Sequence, residues 1–231
     1  LVDLNRAGTP LVEIVSEPDM RSGDEAYAYL TEIRRLVRHL EICDGNMEEG
    51  SLRCDANVSV MLKGATQFGV KVEVKNMNSI RNVKRAIDYE VIRQIDAIES
   101  GETLVQETRS FDASKGTTFS MRSKEAAHDY RYFPEPDLPP FAVSDEMIEG
   151  IKQDMPALPK ALMHKYIEQL QLSVYDAEIL TSEKAIALFF EEIIQLTKNY
   201  KAAANWVSGP IKSWLNENAK AINELSITPK H

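Results

Sequence analysis

The chain has 231 residues, 43% of them hydrophobic, with 27 basic and 36 acidic residues and a formal net charge of −9. This length allows one or two domains with a buried core, and the acidic balance argues against a protein that binds nucleic acid through its overall charge. Because the sequence has two cysteines, Cys43 and Cys54, without CxxC or paired-histidine spacing, and no apolar run of ~20 residues, we expect no disulfide framework, zinc ribbon or membrane span, and a cytoplasmic location.

The first predicted elements are a strand and a helix. Residues 11–16 are mostly apolar and β-branched, and Pro18 ends the predicted strand because proline cannot continue a β-ladder. A helix follows, since Ser22 and Glu25 make a capping box. Its buried stripe is predicted at helical spacing, on Tyr29, Ile33, Leu36, Val37 and Leu40.

Two strand-like runs come next, at residues 52–60 and 70–75, and segment 63–69 can form the loop of a hairpin between them. Apolar and polar residues alternate in both runs, so each strand directs its apolar set to a core and its polar set to the opposite face. The polar set consists of Arg53, Asp55, Asn57, Ser59, Lys71, Glu73 and Lys75. This face is either a functional surface or a set of cross-strand ion pairs, and the pattern leaves both open.

The predicted elements that follow complete an α+β part. A second helix is predicted over residues 79–98, and a second hairpin from residues 104–111 and 117–121. The helix has its apolar stripe on Ile80, Val83, Ile87, Val91, Ile95 and Ile98.

A proline-rich segment, residues 130–140, then interrupts the chain. Proline is excluded from helix interiors and central strands, so we place a domain boundary between residues 142 and 143. Beyond Ser144, a good helix cap, short helices with broad apolar faces predict an all-α bundle. Trp206 and Trp214 are predicted to lie in its core.

The usual loop signatures for nucleotides, hydrolases and zinc proteases are absent from the sequence. Any catalysis must therefore use the sheet, where oxygen donors are interspersed with basic residues. Magnesium binds one or two protein carboxylates together with water and substrate phosphates, and a phosphoryl-transfer site adds Arg or Lys to hold developing charge. The donors available are Glu13, Glu17, Asp19, Glu48, Glu49, Arg53, Asp55, Asn57, Glu73, Lys75 and Asn76.

Basic residues on the two helices could contact RNA phosphates, but acidic neighbours make a solvated, ion-paired face the favoured interpretation. The basic residues are Arg34, Arg35, Arg38 and His39 on the first helix and Arg81, Lys84 and Arg85 on the second. The pair His128 and Asp129 is interpreted as structural rather than catalytic.

Five segments, in this order along the chain, resemble signature motifs of the B subunit of aspartyl/glutamyl-tRNA(Asn/Gln) amidotransferase. They are residues 1–19, 47–57, 75–79, 106–109 and 129–137. The resemblance implies a cradle domain with an antiparallel sheet like that of glutamine synthetase, over residues 1–142, and a helical domain over residues 143–231. It implies that ATP and Mg²⁺ are used to phosphorylate the side-chain carboxylate of glutamate or aspartate misacylated on tRNA(Gln) or tRNA(Asn). Ammonia from the A subunit, a glutaminase, then displaces the phosphate, and a small C subunit joins the other two.

Roles follow from the resemblance by position in the matching motifs. The implied metal ligands are carboxylates: Glu13, Asp55 and Glu73, with Glu49 as a fourth. The implied catalytic contacts to phosphate are basic: Arg53 and Lys75. The implied nucleotide-orienting groups are amides: Asn57 and Asn76.

Departures from the family pattern are found at both ends. Family members begin well upstream of this chain and continue past a motif like Thr228 and Pro229 into a tail domain, so we expect a fragment with an incomplete sheet and little activity alone. Two alternatives stay open. One is the related archaeal E subunit, which carries an insertion that this chain lacks, and the other is a non-catalytic tRNA-binding or scaffolding module.

Overall fold

The computed structural model describes residues 8–121 and 140–230. The proline-rich segment up to residue 139, the pair His128 and Asp129 and the matching motif at residues 129–137 lie outside the described residues, as do residues 1–7 of the first motif. The domain boundary at 142/143 therefore stays a prediction.

The part of the chain up to residue 121 combines two long helices with four short strands. These are α1 Gly23–His39, β1 Ala56–Val58, β2 Val72–Lys75, α2 Ile80–Glu99, β3 Thr108–Asp112 and β4 Thr117–Ser120. The part from residue 140 is helical. It contains α3 Asp145–Asp154, α4 Pro159–Glu168, α5 Val174–Leu180, α6 Lys184–Leu196, α7 Tyr200–Trp206 and α8 Lys212–Glu217, with a π-helical turn at Val207–Ile211 and a 3₁₀ turn at Ile222–Glu224.

Side-chain caps fix where the two long helices begin. The hydroxyl of Ser22 accepts the amide hydrogen of Glu25 at 3.1 Å, and that of Ser79 accepts the amide hydrogen of Asn82 at 3.1 Å. Each cap satisfies one of the amides that a helix start leaves without a partner. Both starts match the sequence prediction. Ser144 likewise caps α3, as predicted.

The four strands form one sheet in the order β1-β2-β3-β4. β1 and β2 pair antiparallel, as do β3 and β4, whereas β2 and β3 pair parallel. The sheet is therefore mixed, and the fully antiparallel sheet implied by the resemblance is not what the described residues form. The reason is the connection: α2 joins β2 to β3, and a helical crossover brings the second strand back in the same direction.

One face of this sheet packs on α2, and the predicted alternation decides which side chains it buries. Ala56, Val58 and Val74 are buried in one cluster with Val83 of α2 and Phe111 of β3. The polar residues between them, Asn57 on β1 and Glu73 and Lys75 on β2, lie on the opposite face. This division is the one that the sequence predicts.

The predicted strand at residues 11–16 is wrong. The segment forms no strand, and its side chains are exposed, with Leu11 at 78% and Val15 at 81%. A strand needs a partner for its backbone hydrogen bonds, and no described strand pairs with this segment. Its apolar residues are thus available on the surface of the described structure.

The predicted buried stripe of α2 is correct only in its first half. Val83 is buried, but Ile95 and Ile98 are 41% and 45% exposed. Glu90 and Gln94 are fully buried in their place, because they bond to groups on the sheet and on α2 itself. The amide of Gln94 donates to the carbonyl oxygen of Val58 at 3.1 Å.

The helical part has a separate apolar core. Tyr166, Leu180, Phe190 and Val207 are fully or almost fully buried in it. The rings of Tyr166 and Phe190 meet edge to face, with centroids 5.0 Å apart. This core contains no residue of the sheet or of α1 and α2, so the helical part packs largely on itself.

Trp206 and Trp214 lie outside this core, at 63% and 39% exposed, so their predicted burial is wrong. Both belong to short helices whose buried positions are taken by other side chains. These are Ala203 and Ala204 on α7 and Leu215 on α8.

The two parts meet where α1 ends. His39 lies with Nε2 2.9 Å from the carbonyl oxygen of Ala157, and Lys184 of α6 forms an ion pair with Glu41 at 2.7 Å. Within residues 8–121 and 140–230, none of the helices combines the length and the apolar character that crossing a membrane requires.

Candidate functional site

The face of the sheet remote from α2 is polar and open. In the register of the sheet, Asn57 pairs with Glu73, and Glu73 with Thr108. Further along β2, Lys75 pairs with Ser110. Because side chains alternate along strands, these groups and Asp55, which immediately precedes β1, belong to one surface. The sequence correctly predicts that Asp55, Glu73 and Lys75 share it.

Lys75 joins two carboxylates on this surface. Its Nζ lies 2.9 Å from Oδ2 of Asp55 and 3.3 Å from Oε1 of Glu73. The hydrogen bond to Asp55, followed by the charges of both carboxylates, raises the pKa of Lys75 above its ordinary value. Lys75 therefore stays protonated at neutral pH and places its charge between the two carboxylates.

Two residues of β3 complete this arrangement, and sequence reasoning did not assign a role to either. The hydroxyl of Thr108 donates to Oε2 of Glu73 at 2.9 Å. The amide of Asn76 donates to the hydroxyl of Ser110 at 2.8 Å. The signal for both was present: Thr108 and Ser110 are the alternate polar positions of a strand that overlaps a matching motif.

Asn76 follows β2 directly and has a left-handed backbone, with φ of +65°. Asparagine tolerates this conformation better than most residues because its short side chain can hydrogen-bond locally. The turn lets the chain leave β2 and enter α2 within four residues while the Asn76 side chain still contacts β3. The prediction that Asn76 contributes to the site is compatible with this position.

Behind the sheet, a buried polar network holds β3 and β4 against α2. Arg109 donates to Glu107 at 2.6 Å and to the hydroxyl of Thr118 at 2.8 Å. Thr118 in turn donates to Glu90, which also receives two hydrogen bonds from Nε of Arg93. Neighbouring residues of β3 alternate between this network and the open face. By holding Arg109, the network therefore helps to position Thr108 opposite Glu73.

The remaining predicted site residues are differently placed. Arg53 and Asn57 are exposed, and neither has an ion pair or side-chain hydrogen bond with a described residue. Glu49 is exposed in the turn that precedes β1. Glu13 lies in the exposed segment before α1, outside the sheet.

The four predicted metal ligands do not form one cluster in the described structure. Among residues 8–121 and 140–230, no three His, Cys, Asp or Glu side chains lie close enough together to hold a metal ion. Two of the predicted ligands, Asp55 and Glu73, do lie close together, and the ammonium group of Lys75 bridges them. A pair of carboxylates that can share a cation fits magnesium, which takes one or two protein carboxylates with water and phosphate oxygens. The roles of Glu13 and Glu49 stay predictions.

Two of the basic residues of α1 and α2, Arg35 and Lys84, are ion-paired with acidic neighbours. Arg35 pairs with Glu32 at 2.8 Å, and Lys84 pairs with Asp24 at 2.9 Å and with Asp88 at 3.1 Å. These contacts favour the interpretation of a solvated, ion-paired helix face over that of a phosphate-binding surface.

Comparison with known proteins gives this surface its context. Residues 1–149 match the family model described as "GatB/GatE catalytic domain". The chain is 56% identical over 228 residues to the B subunit of aspartyl/glutamyl-tRNA(Asn/Gln) amidotransferase from Thermodesulfovibrio yellowstonii, and 54% identical over 228 residues to that from Trichlorobacter lovleyi. Each alignment covers 99% of this chain and 48% of the relative, so the chain spans about half the length of the curated relatives it matches. With more than half of its residues inside the family model, the chain belongs to the GatB/GatE catalytic-domain family, and the relatives it matches there are B subunits of aspartyl/glutamyl-tRNA(Asn/Gln) amidotransferase.

Proposed function

We propose that this chain is part of the B subunit of a tRNA-dependent amidotransferase. In this proposal the subunit uses ATP and Mg²⁺ to phosphorylate the side-chain carboxylate of Glu-tRNA(Gln) or Asp-tRNA(Asn), and ammonia then replaces the phosphate. The observation that carries the proposal is the Asp55, Lys75 and Glu73 arrangement on the open face of the sheet. It lies within the residues that match the catalytic-domain family.

The chemistry explains why such a face is needed. An oxygen leaves a carboxylate poorly, whereas phosphate leaves readily, and Mg²⁺ when bound supplies positive charge that offsets the charge of the phosphates. Asp55 and Glu73 would hold the ion. Lys75 and Arg53 would contact the transferred phosphoryl group, and Arg53 is exposed with no ion-pair partner among the described residues. The amides of Asn57 and Asn76 would orient the nucleotide.

Partners and location belong to the same proposal. The ammonia would come from the A subunit, a glutaminase, a small C subunit would join the two, and the misacylated tRNA would deliver the reacting carboxylate. In this proposal residues 1–142 form the later part of a cradle domain with a sheet like that of glutamine synthetase, and residues 143–231 form a helical domain. The complex would work in the cytoplasm.

Two isosteric changes test the proposal in the complete amidotransferase. Asp55→Asn and Glu73→Gln remove one negative charge each and keep side-chain volume, so we expect ATP-dependent amidation to fall about 100-fold or more. Asp96→Asn is the matched control, because Asp96 is exposed on α2 and has no ion pair with a described residue. Its amidation rate should equal that of the wild type.

Circular dichroism of each variant shows whether it has folded. Normal folding with unchanged amidation in Asp55→Asn and Glu73→Gln would contradict the proposal. Salt-sensitive tRNA binding without any nucleotide response would instead support a non-catalytic binding module.

A further inference from the structure

We propose that Lys75 competes with a divalent cation for the Asp55 and Glu73 carboxylates, so that its ammonium group is released toward the substrate only when the ion binds. This inference rests on the proposed function and adds an order of events to it. Lys75 is then both the group that keeps the two carboxylates together before the ion arrives and the group that contacts phosphate afterwards.

Lys75 shares its ammonium group between oxygen atoms of the two carboxylates. Glu73 offers its two oxygens to two different partners: Oε2 accepts the hydroxyl of Thr108, and Oε1 faces the ammonium of Lys75. Asp55 offers Oδ2 to the same ammonium. A cation that bridges Oδ2 of Asp55 and Oε1 of Glu73 would therefore use the two oxygens that Lys75 contacts.

The Lys75 ammonium group and a divalent cation would repel each other at these carboxylates. The ammonium group lies within about 3 Å of an oxygen of each carboxylate, and a divalent ion bound to the same oxygens would lie within a few ångströms of it. At such separations two positive charges repel each other by an amount that water only partly screens. The ion and the ammonium group thus exclude one another at these two carboxylates.

The Lys75 side chain can move away from the two carboxylates. Its side chain is 36% exposed, and lysine carries its charge on a flexible four-carbon stem. Lys75 can therefore leave the carboxylates without unfolding the strand, and its charge then faces the open side of the sheet. Thr108 stays bonded to Glu73 in both arrangements, since it uses the other oxygen.

Mn²⁺ binding tests the competition directly. Mn²⁺ is titrated into the complete amidotransferase and the free ion is measured by electron paramagnetic resonance. Lys75→Met keeps the length of the side chain and removes the charge, so we expect Mn²⁺ to bind about three- to tenfold more tightly than in the wild type. Lys71→Met is the matched control, because Lys71 precedes β2 and has no ion pair with a described residue. Its Mn²⁺ affinity should change by less than about twofold.

A second measurement follows Lys75 itself. Acetic anhydride labels free amines, and mass spectrometry compares the labelling of Lys75 with that of Lys71 in the same sample. We expect Mg²⁺ to raise the labelling of Lys75 relative to Lys71 severalfold, because the released amine loses its two carboxylate partners. Unchanged labelling of Lys75 at saturating Mg²⁺ overturns the proposal.

The outcomes separate this inference from the proposed function. If Asp55→Asn and Glu73→Gln weaken Mn²⁺ binding but Lys75→Met leaves it unchanged or weakens it, the competition is wrong and the proposed function stands. If Asp55→Asn and Glu73→Gln leave Mn²⁺ binding unchanged, both are wrong. Tighter binding in Lys75→Met alone, without tightening in Lys71→Met, supports the competition.

Discussion

Thr108 donates its hydroxyl hydrogen to Oε2 of Glu73 at 2.9 Å, from a strand that runs parallel to β2 and begins 33 residues after β2 ends. The hydrogen bond holds the Glu73 carboxylate in one orientation, with Oε1 directed to Lys75. Thr108 is therefore a positioning residue for the proposed site, because it binds one oxygen of Glu73 while the other faces Lys75.

The first prediction concerns this hydroxyl group. Thr108→Val keeps the shape of the side chain and removes the donor, so we expect the Mg²⁺ concentration for half-maximal amidation to rise about tenfold. Thr108→Ser keeps the hydroxyl group and should stay within about twofold of the wild type. The measurement is amidation by the complete enzyme as a function of Mg²⁺ concentration. Equal behaviour of the valine and serine variants would show that the hydrogen bond has no such role.

The second prediction concerns pH and His39. Burial lowers the pKa of His39 below its ordinary value of 6.5, although the hydrogen bond to Ala157 opposes the shift. The unfolded chain therefore binds a proton at His39 before the folded protein does, and stability falls as pH drops below about 6.5. Above that pH, His39 is neutral in both states and its contribution is constant.

Urea unfolding at a series of pH values between about 5 and 8 measures this effect. His39→Gln has no titrating group, so its free energy of unfolding should vary less with pH over this range than that of the wild type. A wild-type pH dependence retained in His39→Gln would contradict the assignment.

The third prediction concerns the buried network behind the sheet. Glu90→Gln removes the negative charge that Arg93, Thr118 and Gln94 surround. Glu90 is fully buried, and its neutralisation leaves Glu107 alone to offset the charges of Arg93 and Arg109, so we expect a loss of about 3 kcal/mol in the free energy of unfolding. Glu99→Gln, at an exposed position of the same helix, should change it by less than about 0.5 kcal/mol. Urea unfolding of the two variants checks this, and equal stability would contradict the structural role of Glu90.

The fourth prediction concerns the core of the helical part. Phe190 is fully buried and packs edge to face against Tyr166. Phe190→Ala leaves a cavity and should cost about 3–5 kcal/mol of unfolding free energy. Leu188→Ala, two residues earlier and 54% exposed, should cost less than about 1 kcal/mol. Thermal unfolding followed by circular dichroism distinguishes the two, and a stable Phe190→Ala variant would contradict this core.

The sequence predicts those features that depend on interactions between residues close together in the chain. The starts of α1 and α2 follow from Ser22 and Ser79, whose hydroxyl groups act within three residues. The two faces of β1 and β2 follow from strict alternation, which places Asp55, Glu73 and Lys75 on one surface before any pairing is known. These predictions are confirmed.

The features that the sequence missed depend on partners far away in the chain. Residues 11–16 have the composition of a strand, but a strand forms only where another pairs with it. Glu90 is buried because Thr118 and Arg109, on strands later in the chain, meet it there. The contact of Thr108 with Glu73 requires the parallel pairing of β2 and β3, which α2 brings about and which no short pattern encodes.

The parallel pairing of β2 and β3 has a consequence for ligand binding. The open face forms only when α2 has folded and β3 has paired with β2, since Glu73 and Thr108 are 35 residues apart in the sequence. A ligand that binds this face and not the unfolded chain therefore stabilises α2 and β3 together with the site. Nucleotide and metal should accordingly raise the melting temperature with their concentration. They should also raise the protection of backbone amides from hydrogen exchange along the whole of α2, including turns that do not contact the ligand.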